Sequence, residues 1–268
     1  MASSPSFHVV IPARHASTRL PGKPLLDIGG RTMIQRVVDR AGRSAADEIL
    51  VATDDARIAR AVTDPRGRQR PIAVMTDPAL PSGTDRVAAV ARDRGWDDAT
   101  IVVNVQGDEP FVPPALIDQA ARLLAADDRA VIATLATPIT QLHELLDPNV
   151  VKLVAADDGA ALYFSRAPIP WSRDGAPAGV ASQTDFTGAL RHVGLYAYRV
   201  GALRRITAMQ PSTLEQREKL EQLRALQAGM RIVVGLCVEM PGPGIDTESD
   251  LQLARARVAA EDTGAISA

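Results

Sequence analysis

Short apolar runs alternate with amphipathic stretches along the first half of this chain. The runs at 7–11, 49–53, 72–75, 100–105 and 131–135 are mainly aliphatic and β-branched, without strict alternation, which is the pattern of strands covered on both faces. Between the first two, Ile34, Val37, Val38 and Ala41 recur at i, i+3, i+4 and i+7, laying one apolar stripe of a helix against a sheet. Strand and helix in alternation predict an α/β fold whose central sheet is mainly parallel, covered by helices and joined by right-handed crossovers.

Past about residue 136 the rhythm lengthens. Runs at 150–155, 161–165 and 192–198 read as longer strands, separated by the Pro/Gly-rich stretch 167–188, long enough to mark a functional or mobile loop. The expected organisation is a single domain over 1–268. Its core spans 7–136 and 213–261, and a smaller mixed α/β second lobe is inserted at about 137–212. Ser212 opens an expected helix carrying Leu220, Leu223, Leu226 and Met230 at helical spacing, a strand at 232–238 returns to the first sheet, and a last helix starts near Glu248.

Composition narrows the classes. A chain of 268 residues with 46% hydrophobic content can bury a large core. Thirty Lys plus Arg against 32 Asp plus Glu give a net charge of -2, so no basic excess recommends a nucleic-acid partner. The single Cys237 sits in an apolar run and reads as a core side chain, since a lone thiol makes neither an internal disulfide nor a Cys-rich zinc site. Residues 1–6 lack a basic n-region and an apolar h-region, and no later segment reaches membrane-spanning apolar length. A soluble, cytoplasmic protein without membrane insertion is expected.

Three segments carry candidate chemistry. The first strand runs into a loop with Arg14, Arg19 and Lys23. Three cations on one short loop repel each other unless a polyanion such as a nucleoside triphosphate sits among them, although a solvated basic loop is the bland alternative. The loop is neither a P-loop, since Ser17 and Pro24 stand where that motif needs Gly and Ser/Thr, nor a dinucleotide fingerprint, since no Gly-x-Gly-x-x-Gly follows the strand. The second segment, residues 104–111, follows the strand at 100–103; Gly107 permits an unusual backbone there and Asp108 offers an oxygen ligand, or the segment is only a polar turn. The third, residues 241–247, presents Asp246 at a helix start, where it could be a metal ligand or the N-cap, with Thr247 beside it as another cap. Two separated Asp residues at one sheet edge could share a metal, because Mg²⁺ prefers a few carboxylates completed by phosphate oxygens and waters.

In order and spacing, IPARHASTRLPGKPL (11–25), NVQGDEP (104–110), ALYFSRAPIPW (161–171), LRHVGLYAY (190–198), LEQLRAL (220–226) and GPGIDT (242–247) resemble the 3-deoxy-manno-octulosonate cytidylyltransferases, or CMP-Kdo synthetases, over nearly the whole chain. The resemblance implies a Rossmann-like nucleotidyltransferase fold and a homodimer. It also implies Mg²⁺-dependent transfer of CMP from CTP to the acidic sugar Kdo, with release of pyrophosphate, for the inner core of lipopolysaccharide. It makes Arg14, Lys23, Asp108 and Asp246 the catalytic set, with Asp108 and Asp246 as the metal ligands. Pro12, Ala13, Arg14, Arg19, Lys23, Ser82, Gly83, Thr84, Arg86 and Gln106 fall to the nucleotide, and Arg166, His192, Tyr196, Glu221 and Gln222 to the sugar. On the residues alone, Ser82 with Asp85 also reads as a capping box, His192 as a core histidine, and Arg166 and Glu221 as surface charges. His15 stands where a Tyr is expected, and 173–185 does not align with the pattern. Three other readings compete: a cytidylyltransferase for another acidic sugar, a CTP-binding regulator without catalysis, and a glycosyltransferase using Gly-Asp-Glu as its metal motif.

Overall fold

The computed structural model describes residues 5–16, 20–63, 66–67 and 72–262. In chain order its elements are β1 (His8–Ala13), β2 (Asp27–Ile28), β3 (Arg31–Thr32), α1 (Met33–Gly42), β4 (Glu48–Thr53), α2 (Ala56–Ala61), β5 (Ala73–Met75), α3 (Gly83–Asp93), β6 (Ile101–Asn104) and α4 (Pro114–Ala126). They continue with β7 (Ile132–Pro138), α5 (Leu142–Leu146), β8 (Lys152–Ala155), β9 (Ala161–Ser165), β10 (Leu190–Arg199), α6 (Val200–Ala208), α7 (Thr213–Glu218), α8 (Gln222–Gln227), β11 (Ile232–Leu236) and α9 (Glu248–Asp262).

The central sheet runs β11-β7-β10-β6-β1-β4-β5, with β8 and β9 attached to β10. Parallel pairs join β1 to β4 and β6, β4 to β5, and β7 to β11, so Val9 lies opposite both Ile49 and Val103. Successive residues of β1 serve opposite cores. Val9 and Ile11 join the cluster that holds Ile34, Val37, Val38 and Ala41 of α1 with Leu116, Ile117 and Leu124 of α4. Val10 faces Val87 and Val90 of α3 and Leu203 and Ile206 of α6. Two buried faces explain why these strands read as unbroken apolar runs rather than alternating ones. Two helix starts beside the site are fixed locally: Thr32 and Gln35 form a reciprocal capping box on α1, and Ser82 accepts from the backbone of Asp85 on α3.

Two sequence expectations change. The stretch expected in the second lobe as 192–198 belongs to β10, which lies antiparallel between β6 and β7 inside the central sheet. Its Leu195 and Ala197 enter one core and its Tyr196 and Tyr198 the other, so it has no free face to give to a separate lobe. What leaves the sheet path is the β8–β9 hairpin and the connection from 166 to 189. The helix expected from Ser212 is two helices, because Lys219 takes left-handed dihedrals (φ 56, ψ 46) between α7 and α8.

The chain end builds one wall of the site. Ile245, Leu251, Ala254 and Val258 pack with Leu20, Ile28, Met33 and Phe111, bringing the α9 start against the loops after β1 and β6. Among the described residues, no helix is long and apolar enough to cross a membrane.

Candidate functional site

At the C-terminal edge of β1 and β6, Pro12, Ala13, Arg14, Lys23, Gly83, Arg86, Gln106, Gly107, Asp108 and Asp246 line one cavity of about 500 Å³. Backbone geometry sets its floor. A Cβ on Gly107 would stand 2.7 Å from the carbonyl oxygen of Pro12, so only glycine lets the loop after β6 cross the end of β1 this closely. The N–H of Ile245 donates to the carbonyl of Asp108 at 3.0 Å, which ties the Asp246 turn to the Asp108 loop.

The side chains converge accordingly. Nζ of Lys23 lies 2.7 Å from Oδ2 of Asp108 and 3.0 Å from Oδ1 of Asp246, with only 11% of the lysine side chain exposed. Thr247, not Asp246, caps α9: its hydroxyl accepts from the N–H of Asp250, while the Asp250 carboxylate accepts from the N–H of both Asp246 and Thr247. The Asp246 carboxylate faces the cavity. Two carboxylates meeting at one cation position, both with hard oxygen donors, fit Mg²⁺. Among the described residues, no group of three or more His, Cys, Asp or Glu side chains could hold a metal. A metal held by these two carboxylates would need further oxygen ligands from outside the protein, such as phosphate and water.

Glu109 adds an electrostatic feature that the motif contained and the sequence reading passed over. Burial first, and then the neighbouring Asp108 carboxylate, push its carboxyl up to about 7, against the pull of Arg191.

Arg14 rims the cavity, its Nη1 donating at 3.4 Å to the carbonyl of Pro81. Arg86 sits differently from a mobile phosphate-binding cation. It is fully buried, donating from Nη2 to Asp54 at 2.6 Å and from Nη1 to the Thr76 hydroxyl and the Asp77 carbonyl, so it is a fixed part of the cavity lining. Ser82 is spent on the α3 cap, while Gly83 remains in the lining. Arg19 lies outside the described residues.

A second cavity, about 210 Å³, shares Gly83 and Gln106 with the first and is further lined by Thr84, Asn104, Tyr196, Tyr198, Lys219, Leu220, Glu221 and Gln222. Thr84 therefore faces this side, its hydroxyl donating to Glu221 Oε2 at 2.9 Å. Burial raises the Tyr196 and Tyr198 phenols above their ordinary value, leaving both as neutral hydroxyls at neutral pH. Three of the five residues expected at the sugar, Tyr196, Glu221 and Gln222, line this cavity.

The other two lie outside both linings. His192 packs edge-on to Phe164 and beside Tyr196, with Nε2 3.0 Å from the Thr134 hydroxyl. That hydroxyl has one proton and points it at the Leu195 or Val193 carbonyl, so Nε2–H of His192 is the donor between them. Desolvation pushes the imidazole down to about 3, so the ring is neutral and supports Tyr196 from behind. Arg166 donates from Nε to the Glu218 carbonyl at 2.7 Å and from Nη1 to the Pro148 carbonyl at 2.8 Å, tying β9 to α7. Neither residue shows its structural partners in sequence. Asn104 lines the second cavity too; the sequence reading placed it in the 104–111 segment without giving it a role.

Comparison with known proteins gives concordant results. The family model described as Cytidylyltransferase matches residues 8–232. A 3-deoxy-manno-octulosonate cytidylyltransferase of Xanthomonas campestris pv. campestris (strain B100) is 55% identical over 96% of this chain and 90% of its own length. One of Thioalkalivibrio sulfidiphilus is 51% identical over 92% and 96%. Among solved structures, CMP:2-keto-3-deoxy-manno-octonic acid synthetase complexed with CTP superposes with a TM-score of 0.83 at 41% identity, over 96% of this chain and 100% of that one. A 4-diphosphocytidyl-2C-methyl-D-erythritol synthase shares the fold alone, at a TM-score of 0.60 and 13% identity over 96% and 100%.

Proposed function

This chain belongs to the cytidylyltransferase family, among its 3-deoxy-manno-octulosonate members, and on that footing we propose that it transfers CMP from CTP to the anomeric hydroxyl of 3-deoxy-D-manno-octulosonate (Kdo), releasing pyrophosphate. The product serves the inner core of lipopolysaccharide. The observation that carries the reading is the meeting of Lys23, Asp108 and Asp246 beside Arg14 in one cavity, with a smaller hydroxyl-lined cavity adjoining it.

In this reading Pro12, Ala13, Gly83 and Gln106 seat the nucleoside at the sheet edge. Arg14 and Lys23 neutralise the triphosphate and stabilise the departing pyrophosphate. Asp108 and Asp246 would hold Mg²⁺, which when bound would offset charge on the phosphate oxygens and make the sugar hydroxyl more acidic. The sugar occupies the second cavity, where Thr84, Tyr196, Glu221 and Gln222 face its hydroxyls, and His192 fixes the Tyr196 ring. Placing the two substrates side by side supplies the orientation that the transfer needs as the sugar oxygen bonds to the α-phosphorus and the bridge to the β-phosphate breaks.

Residues 7–136 and 213–261 make the CTP-binding part. The 137–212 segment gives Tyr196 to the sugar and carries the contact of a homodimer, for which the exposed Leu162 and Trp171 offer apolar surface. The enzyme acts in the cytoplasm. Pyrophosphate release from purified protein, with and without Mg²⁺, tests the proposal. Rapid release that needs CTP, Kdo and Mg²⁺ together is expected. No release despite CTP binding would overturn the sugar assignment.

A further inference from the structure

The second cavity is lined by two charged residues, Lys219 and Glu221. A sugar acid entering it brings a carboxylate, which Glu221 repels and Lys219 attracts. The Glu221 carboxylate already accepts from the Thr84 hydroxyl at 2.9 Å. Arg166, which the resemblance assigns to the sugar, lies outside this lining and donates to the carbonyls of Glu218 and Pro148.

Lys219 is also the one non-glycine residue at positive φ among the described residues. A side chain is strained in this conformation, and glycine is the residue that would relieve it. The turn is nonetheless firmly built. The N–H of Lys219 donates to the Glu215 carbonyl at 2.7 Å, the Glu215 carboxylate accepts from Nε and Nη2 of Arg224 at 2.8 and 2.6 Å, and the N–H of Arg224 donates back to the Glu221 carbonyl at 3.0 Å. Both flanking helices thus hold a lysine where helix geometry alone asks for glycine, at the edge of a cavity. Strain kept in place by its surroundings marks functional positions.

The remaining lining agrees with a polyhydroxylated acid. Oδ1 of Asn104 and Nε2 of Gln222 are buried without a hydrogen-bond partner, one an acceptor and the other a donor. Hydroxyl groups satisfy both kinds of atom at once, whereas an apolar ligand would leave both unpaired.

We propose that Lys219 is a specificity-determining residue for the sugar acid, its ammonium pairing with the substrate carboxylate at the edge of the second cavity. The inference rests on the transfer reading above. Its positional logic is that Asn104 and Gln222 select hydroxyls, while the left-handed turn aims a flexible cation at the acid group.

The test is steady-state pyrophosphate release by wild-type protein and by Lys219→Met, Lys219→Gly and Lys219→Arg, at low and high salt, with Kdo and with its carboxamide. Removing one partly solvated charge pair should raise the KM for Kdo about fivefold in Lys219→Met, with kcat and the KM for CTP within about twofold. The salt dependence of that KM should flatten. Lys219→Arg should stay near wild type, and the carboxamide should not distinguish wild type from Lys219→Met. Lys219→Gly separates charge from backbone: it should melt no lower than wild type yet lose Kdo affinity like the Met variant. If wild type turns over Kdo while the Met and Gly variants keep its KM, Lys219 is only a helix terminator and the proposal falls. Absence of turnover by wild type with Kdo would overturn the transfer reading, and the Lys219 assignment with it.

Discussion

Nζ of Lys23 and Oδ2 of Asp108 are 2.7 Å apart, and the same ammonium reaches Asp246 at 3.0 Å, so an internal cation sits where two carboxylates would otherwise face each other. That arrangement sets up a competition. A metal bound by these carboxylates must displace the ammonium, and a triphosphate offers the ammonium somewhere else to go.

Lys23→Met should therefore change metal binding and turnover in opposite directions. With the competing ammonium removed, Mg²⁺ titrated into protein without nucleotide should bind more tightly, by about tenfold for one displaced charge contact at intermediate dielectric. Turnover should fall by about a hundredfold, because the triphosphate loses a cation. Calorimetric titration and pyrophosphate release give the two readouts. Weaker Mg²⁺ binding in the variant would show that the lysine helps the metal instead of competing with it.

Asp108→Asn and Asp246→Asn should each lower turnover by about a hundredfold or more while leaving thermal unfolding within a few degrees. Their side chains are 38% and 53% exposed, so neither change opens a hole in the core. Near-normal rates with Mg²⁺ in either variant would remove that residue from the metal site.

Much of this site was readable before its geometry was known, for a physical reason. Phosphate and metal chemistry at a sheet edge needs glycine where backbones cross and carboxylates just beyond strand ends, and residues 104–111 and 241–247 show both in sequence. Strands at 7–11, 49–53 and 100–105 were legible because burial on both faces leaves unbroken apolar runs. The break at Lys219 was not legible, since Leu220, Leu223 and Leu226 keep helical spacing straight through it. Arg86 and His192 were harder to read for the opposite reason. Their partners, Asp54 and Thr134, are distant in sequence, so nothing local distinguishes a buried brace from a ligand-binding group.

The Arg86–Asp54 pair gives a stability prediction that separates it from Arg14 and Lys23. Breaking a buried ion pair by removing one partner costs about 3 kcal/mol, because the other charge is left partly desolvated. Arg86→Met should therefore lower the melting temperature by about 8 °C for a chain of this size. The KM for CTP, measured well below that transition, should stay within about threefold of wild type. A larger loss of CTP affinity with unchanged melting would place the guanidinium on the nucleotide.

His192 supplies the pH prediction. Its imidazole is pushed down to about 3 from 6.5 by desolvation, so between these values the unfolded chain binds a proton that the folded protein does not. Stability therefore rises with pH across that window and is lost as pH falls through it, with a slope of up to about 1.4 kcal/mol per pH unit from this residue. His192→Gln keeps a nitrogen donor for Thr134 and cannot titrate, so its unfolding free energy should depend less steeply on pH between about 4 and 6 than that of wild type. Denaturant unfolding of both proteins at pH 4.5, 5.5 and 7.5, values chosen to lie at about the middle, upper part and outside of the window, measures the difference. Parallel pH profiles would mean that the ring takes up its proton in the folded protein as in the unfolded chain, and so is charged below about pH 6.5. Tyr196 would then lie against a cation instead of a neutral ring, and the hydroxyl-lined side of the second cavity would carry a positive charge from behind.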